Sequence, residues 1–150
     1  MRSADEWLDE YGESHRDPTN KLIHWICVPL IVWSVTALIW SIPSPIDGLN
    51  WAVVMAVLAE AWYIALSPAL ALGLALFLVL CLGLCWVIET QLAMPLWQIA
   101  LIVFVLAWIG QFIGHHIEGK KPSFFKDVQF LLVGPAWLMG FVYRKVGWSY

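Results

Sequence analysis

The sequence has few charged residues and no basic residue through most of its length. Only 13% of its 150 residues are charged, about half the share found in a typical soluble domain. From Leu22 to Ile117 there is no lysine or arginine, and the only acidic residues are Asp47, Glu60 and Glu89. A net charge of −3 also excludes the basic surface with which proteins bind nucleic acids.

Cysteine is scarce as well, and its placement excludes a disulfide-stabilised scaffold. The three cysteines are odd in number and lie in apolar runs, whereas disulfide frameworks use an even set. Intrinsic disorder is excluded because 61% of the residues are hydrophobic and 15% are aromatic. With a mean hydropathy of +0.77, the composition indicates a small integral membrane protein, with residues 1–150 forming one domain.

The apolar region is long enough for four membrane-spanning helices of about 20 residues each. Breaks at Pro43–Gly48, at Ser67-Pro68 and at Glu89–Pro95 divide it. The predicted spans cover about residues 24–42, 51–66, 69–88 and 96–114. A single helix over the second and third spans would be about 57 Å long. The chain must therefore fold back, because the hydrocarbon core is only about 30 Å thick.

The N-terminal segment is predicted to be an amphipathic helix outside the membrane core. Trp7, Leu8 and Tyr11 fall on one side of it, while the rest of the segment is rich in charge. It has no apolar stretch of the kind found in a cleavable signal peptide.

The last apolar stretch, at 128–142, is shorter and contains Gly134-Pro135. It either crosses the membrane or lies as an interfacial or re-entrant helix. The positive-inside rule favours the second alternative, because Arg144 and Lys145 then stay on the same side as the other basic residues, Lys126 among them. We therefore expect an all-α, multi-pass bundle of four transmembrane helices plus these two terminal helices, with both termini cytoplasmic.

Four histidines flank the first and last predicted spans. His15 and His24 stand at the start of the first span, and His115 and His116 at the end of the fourth. An even number of spans places all four at one membrane face. Histidine is the commonest metal ligand in proteins, and ionisable groups at a membrane are candidates for function.

The spacing of these residues allows a metal site. His15 and His24 are nine residues apart and would point in opposite directions on one helix, but Pro18 should break it. His115 and Glu118 share a helix face. The candidate ligands are thus His15, His24 and His115, with Glu118 or His116 added. A set of histidines with a carboxylate suits non-haem iron(II), and imidazole also suits zinc; the plain alternative is that interfacial histidines cap helices.

Two lysines follow the second histidine pair. Lys120 and Lys121 can hold an anionic head group or a fatty-acid carboxylate near the metal. Plain anchoring by the positive-inside rule explains them equally well.

Two motifs resemble those of the membrane-bound 2-hydroxy fatty acid dioxygenases. The first contains Tyr11, His15, Asn20 and His24 and runs on to Pro29. The second contains Gln111 and His115, followed by the run Glu118 to Pro122. The resemblance covers nearly the whole chain, and the two motifs together are specific.

This resemblance implies an iron(II)-dependent dioxygenase of fatty acid α-oxidation. A 2-hydroxy fatty acid and O2 would give a fatty acid one carbon shorter. By the resemblance, His15, His24 and His115 would be iron ligands. These three histidines and Glu118 are the expected catalytic residues. Asn20 and Gln111 match motif positions, and we expect them to contact substrate together with the two lysines. His116 departs from the family pattern, which leaves its part in metal binding open.

Other functions compete with this one. A membrane zinc hydrolase would use the same ligands, a haem-binding bundle would often place a second histidine pair at the opposite face, and a scaffold or lipid-binding protein would not need the histidines at all. The expected membrane is the bacterial inner membrane, or the endoplasmic reticulum if the chain is eukaryotic. The oligomeric state is left open.

Overall fold

The computed structural model describes residues 1–121 and 129–150, and throughout these residues the ordered elements are helices. They are α1 (Ala4–Gly12), α2 (Pro18–Trp40), α3 (Trp51–Leu66), α4 (Pro68–Gln91), α5 (Leu96–Glu118) and α6 (Gln129–Val146). The all-helical prediction is confirmed for this part of the chain. Pro122, Lys126 and Val128, which figured in the second motif, the charge pattern and the last apolar stretch, lie outside the described residues.

Helix α1 is the predicted amphipathic helix. Ser3 and Glu6 form a capping box at its start, which satisfies backbone N–H groups that the first helical turn leaves free. The helix buries Trp7, Leu8 and Tyr11 against the bundle and leaves its charged side exposed. The predicted apolar side is confirmed.

Helix α2 begins at Pro18, after a short connection that turns the chain. The side chain of Asp17 accepts hydrogen bonds from the backbone N–H groups of Thr19 and Asn20. Proline suits the first helical position because its missing N–H is not needed there. Pro18 therefore starts a new helix, and His15 and His24 belong to separate elements, as the spacing argument required.

Helices α3 and α4 form a hairpin joined at Ser67. This residue ends one helix and caps the next by accepting a hydrogen bond from the backbone N–H of Leu70. Across the hairpin, Val53 and Leu82 line the same groove. The predicted fold-back is confirmed.

The predicted count of four transmembrane helices is wrong. Helices α2, α4 and α5 are long and apolar enough to cross a membrane. Helix α3 is apolar but has only 16 residues, about 24 Å, which is shorter than the roughly 30 Å hydrocarbon core. Three helices, not four, therefore meet the requirement among the described residues.

Helices α2 and α5 form the principal packed pair of the bundle. Gly110 and Gly114 let them approach closely, because a Cβ atom at Gly110 would lie 2.6 Å from Cys27 Sγ and one at Gly114 would collide with Asn20 Oδ1. We call the end of the bundle that holds the start of α2 and the end of α5 the histidine end, and the opposite end the far end.

Helix α6 packs on α1, α4 and α2 and is buried along much of its length, from Phe130 to Tyr143. The hydroxyl of Tyr143 donates to the carbonyl of Ala69 and accepts from the backbone N–H of Gly73 at 3.1 Å. Helix α6 is not among the helices that are long and apolar enough to cross a membrane. Helix α6 closes the histidine end from one side.

Candidate metal centre

Three of the four histidines meet at the histidine end. The ring centroid of His15 lies 4.1 Å from that of His24 and 4.8 Å from that of His115. One nitrogen from each ring can be chosen so that all three lie within 4.8 Å of one another. All three side chains are buried, with exposed fractions of 2% or less. The group could hold a metal ion.

Three different elements supply these histidines. His15 lies in the connection after α1, His24 one and a half turns into α2, and His115 in the last turn of α5. Helices α2 and α5 are in close contact at Gly114. This contact brings the ring centroids of His24 and His115 to within 6.4 Å of each other. The fold thus assembles a site that no single helix could present.

The protonation of His15 suits a ligand. Its Nδ1–H donates to the carbonyl of Tyr11 at 2.7 Å, and a metal-binding histidine is commonly oriented by such a bond on its other nitrogen. Burial lowers the pKa of His15 to about 4, so the ring is neutral at pH 7. Its Nε2 therefore carries the lone pair that a metal requires.

Unpaired buried nitrogens support the fit to a metal. Among the described residues, His15 Nε2 and both ring nitrogens of His115 have no hydrogen-bond partner. A buried polar atom left without a partner costs about 1–3 kcal/mol. Coordination to a metal would remove that cost at each nitrogen that binds.

His24 is held from two sides. Its Nε2 shares a hydrogen bond with the hydroxyl of Tyr11, and its Nδ1 lies 3.2 Å from the side-chain amide nitrogen of Gln111. Gln111 is fully buried, and its Oε1 has no partner among the described residues. The side chain of Gln111 therefore contacts the histidine group directly and has one acceptor to spare.

Two aromatic rings close the site: Tyr11, which belongs to the first motif, and Trp137, which had no predicted role. Tyr11 stacks on His15 at 4.5 Å, and Trp137 of α6 lies 5.2 Å from His15 and 5.6 Å from His24. Burial holds the pKa of Tyr11 well above its usual range, so its hydroxyl keeps its proton. The spacing of Tyr11 four residues before His15 was a usable signal, whereas nothing near Trp137 in the sequence pointed to the histidines.

Glu118 lies beside the group but is engaged elsewhere. Its two carboxylate oxygens accept from the backbone N–H groups of Arg16 and Asp17 at 2.9 and 2.7 Å. The amide of Asn20 also donates to it, at 3.2 Å, and donates to the carbonyl of Ser14 at 3.1 Å. Glu118 thus ties the connection that carries His15 to the end of α5.

The remaining predicted site residues are at the surface. His116 is exposed and does not belong to the buried histidine group found among the described residues. Lys120 and Lys121 are exposed, and Lys120 Nζ donates to the carbonyl of Glu13 at 3.0 Å. Both lysines stand within a few residues of His115, at the rim of the site.

Comparison with known proteins gives two matches. A family model described as "Mpo1-like: 2-hydroxy-palmitic acid dioxygenase Mpo1-like" matches residues 1–146. The chain is 31% identical over 143 residues to a Saccharomyces cerevisiae protein named 2-hydroxy-palmitic acid dioxygenase MPO1, and the alignment covers 93% of this chain and 79% of the yeast protein. No solved structure matches the chain.

Proposed function

The chain belongs to the Mpo1-like 2-hydroxy-palmitic acid dioxygenase family, and from that premise we propose that it is an iron(II)-dependent dioxygenase of 2-hydroxy fatty acids. The reaction shortens the acid by one carbon with O2 and removes the carboxyl carbon. The observation that carries this proposal is the buried group of His15, His24 and His115, in which His15 Nε2 and both ring nitrogens of His115 have no hydrogen-bond partner among the described residues.

The three histidines are the proposed iron ligands. Iron(II) held by these three histidines would supply the chemistry that activates O2 towards a 2-hydroxy acid. Burial keeps the His15 ring neutral. The carbonyl of Tyr11 orients His15, and the side-chain amide of Gln111 holds His24. Glu118, expected among the catalytic residues, acts here as a positioning residue, because both its oxygens bind the connection before α2.

Polar groups around the histidines fit the head of the substrate. Asn20 Oδ1 and Gln111 Oε1 are buried acceptors without a partner among the described residues, and either can accept a hydrogen bond from a 2-hydroxyl group. Lys120 and Lys121 at the rim attract the carboxylate. Trp137 and Tyr11 exclude water from the reacting carbons.

The membrane supplies the substrate in this proposal. A 2-hydroxy fatty acid leaves its tail in the lipid and its polar head at the interface, where the histidine end would meet it. By the positive-inside rule, the basic residues near this end favour a cytoplasmic position for it and for both termini. The membrane is the inner membrane of a bacterium, or the endoplasmic reticulum in a eukaryote.

Elemental analysis of the detergent-purified protein, followed by oxygen uptake with 2-hydroxypalmitate, tests this function. We expect about one iron per chain, lost in His24→Ala and His115→Ala together with oxygen uptake. His116→Ala is the matched control, because this histidine is exposed and should leave both unchanged.

Two results would replace the proposal. Stoichiometric zinc without oxygen uptake would indicate a membrane hydrolase. The protein could instead bind no metal, even after anaerobic purification and iron reconstitution, and the histidine variants could behave like the unmodified protein. That result would indicate a scaffold or lipid-binding protein.

A further inference from the structure

An apolar cavity of about 150 Å³ lies between α2, α4 and α6. Its inner side is formed by Val28, Pro135 and Leu138, which are buried. Phe77 of α4 contributes to the wall. All the described side chains that line it are apolar or aromatic, and none of them is charged.

This cavity adjoins the metal centre. Val28 is one turn beyond His24 on the same face of α2, and both are buried. Leu138 follows Trp137, whose ring lies 5.2 Å from His15 and 5.6 Å from His24. Val28, Leu138, Trp137 and Tyr11 belong to one continuous apolar cluster. The inner wall of the cavity is thus continuous with the wall of the histidine group.

The outer side of the cavity opens towards the lipid. Its rim includes Trp25 and Val142, which are 39% and 41% exposed. Trp25 lies next to His24 in α2. Val28 lies about 6 Å beyond His24 along the helix axis, away from the histidine end. The cavity therefore leads from the bilayer to a point beside the candidate metal centre.

We propose that this cavity holds the part of the substrate's acyl chain nearest the reacting carbons, and that the remainder of the chain extends past Trp25 and Val142 into the lipid. The inference rests on the proposed function for the identity of the head group. A dry apolar cavity of about this volume accepts a molecule the size of benzene, which has as many carbons as a short stretch of acyl chain. A buried, uncharged lining gives such a segment its hydrophobic stabilisation without a polar group to desolvate.

Photolabelling tests the location directly. The probe is 2-hydroxypalmitate carrying a diazirine on its chain close to the 2-hydroxyl end, bound to the iron-loaded protein under argon so that no turnover occurs. We expect label on Trp25, Phe77 or Val142, displaced by unlabelled 2-hydroxypalmitate but not by the same concentration of phosphatidylcholine. Equal displacement by phosphatidylcholine would show an ordinary lipid groove and overturn the proposal.

A filling substitution gives a second measurement. Val142→Trp narrows the rim at a half-exposed position and should lower kcat/KM for 2-hydroxypalmitate about tenfold, while 2-hydroxyhexanoate, which barely reaches the rim, loses less than about twofold. Ile102→Trp is the control, since Ile102 is 53% exposed on α5 and outside the cavity. Equal losses for both substrates, or for both variants, would contradict the proposed site.

The two proposals fail separately. Oxygen uptake by the unmodified protein with label found away from the cavity would overturn the acyl site and leave the dioxygenase standing. Displaceable label in the cavity without oxygen uptake would support the acyl site and overturn the dioxygenase.

Discussion

The two ends of the α2–α5 pair bury side chains of different chemistry, and α4 contributes to the far end. At the histidine end the buried side chains include Asn20, His24, Gln111 and His115. At the far end the cluster is formed by buried apolar or weakly polar side chains, namely Trp33, Ala37, Cys81, Cys85, Leu96 and Ala100. Among the described residues, the far-end cluster has one buried polar side-chain atom without a partner, Trp33 Nε1, whereas five such atoms lie in the candidate site on His15, Asn20, Gln111 and His115.

That difference separates the packed far end from the candidate metal centre. Glu89 at the far end accepts a hydrogen bond from Trp40 Nε1 at 2.7 Å, and the pair is exposed. Glu118 at the histidine end accepts from two backbone N–H groups and from Asn20. One acidic residue joins two helix surfaces, and the other fixes the connection that carries a candidate ligand.

The largest expected effects come from removing one buried ring at each end. Trp33→Ala should lower the free energy of unfolding by about 3–5 kcal/mol, because it opens a cavity in the far cluster, and the folded fraction should still bind metal. His15→Ala should abolish metal binding with a smaller loss of stability. Unfolding in detergent and elemental analysis of both variants measure this, and the contrast would vanish if Trp33→Ala, while folded, also lost its metal.

The two acidic residues provide the next comparison. Glu118→Ala frees the connection before α2 and should weaken metal binding about 10- to 100-fold, the range typical of residues that orient ligands. Glu89→Ala should leave metal affinity unchanged. Competition with a calibrated chelator measures both, and equal affinities in the two variants would remove the positioning role of Glu118.

Glycine substitutions test whether close helix approach is confined to the histidine end. Gly114→Ala should cost about 1–3 kcal/mol, since the added methyl group collides with the buried side chain of Asn20. Gly83→Ala, where an added Cβ meets nothing within 4 Å, should stabilise α4 by about 0.5–1 kcal/mol. The midpoint of unfolding in detergent reports both, and a destabilised Gly83→Ala variant would contradict the comparison.

The smallest effect is expected at the rim. Replacing Lys120 and Lys121 by methionine should raise KM for 2-hydroxypalmitate roughly two- to fivefold with little change in kcat, because exposed charge pairs contribute about 0.2–1 kcal/mol. Lys145→Met, on the exposed end of α6, is the control. An unchanged KM would leave the two lysines as membrane anchors only.

Much of the architecture was predictable because it depends on local signals. Ser67-Pro68 marked the hairpin, and the spacing of Trp7, Leu8 and Tyr11 predicted the buried side of α1. The count of spanning helices failed because α3 has clear boundaries but too few residues. Hydropathy identifies apolar segments, but it does not show whether a helix is long enough to cross the hydrocarbon core.

The site was predictable only in part. His15, His24 and His115 could be brought together from spacing and topology, and the structure places their rings side by side. The position of Trp137 depends on how α6 crosses the bundle, which is a tertiary property without a local signal. The hydrogen bonds of Glu118 to the backbone also could not be foreseen, since they join residues about a hundred positions apart.

The distance along the chain between the two halves of the site sets when it can form during synthesis. Asn20 and Glu118 are 98 residues apart, so at ordinary ribosome speeds roughly 5 to 20 seconds separate their appearance. For nearly all of that interval the nascent protein contains His15 and His24 but lacks His115. A metal ion held by all three histidines is therefore bound late, because the site is incomplete until His115 has been synthesised.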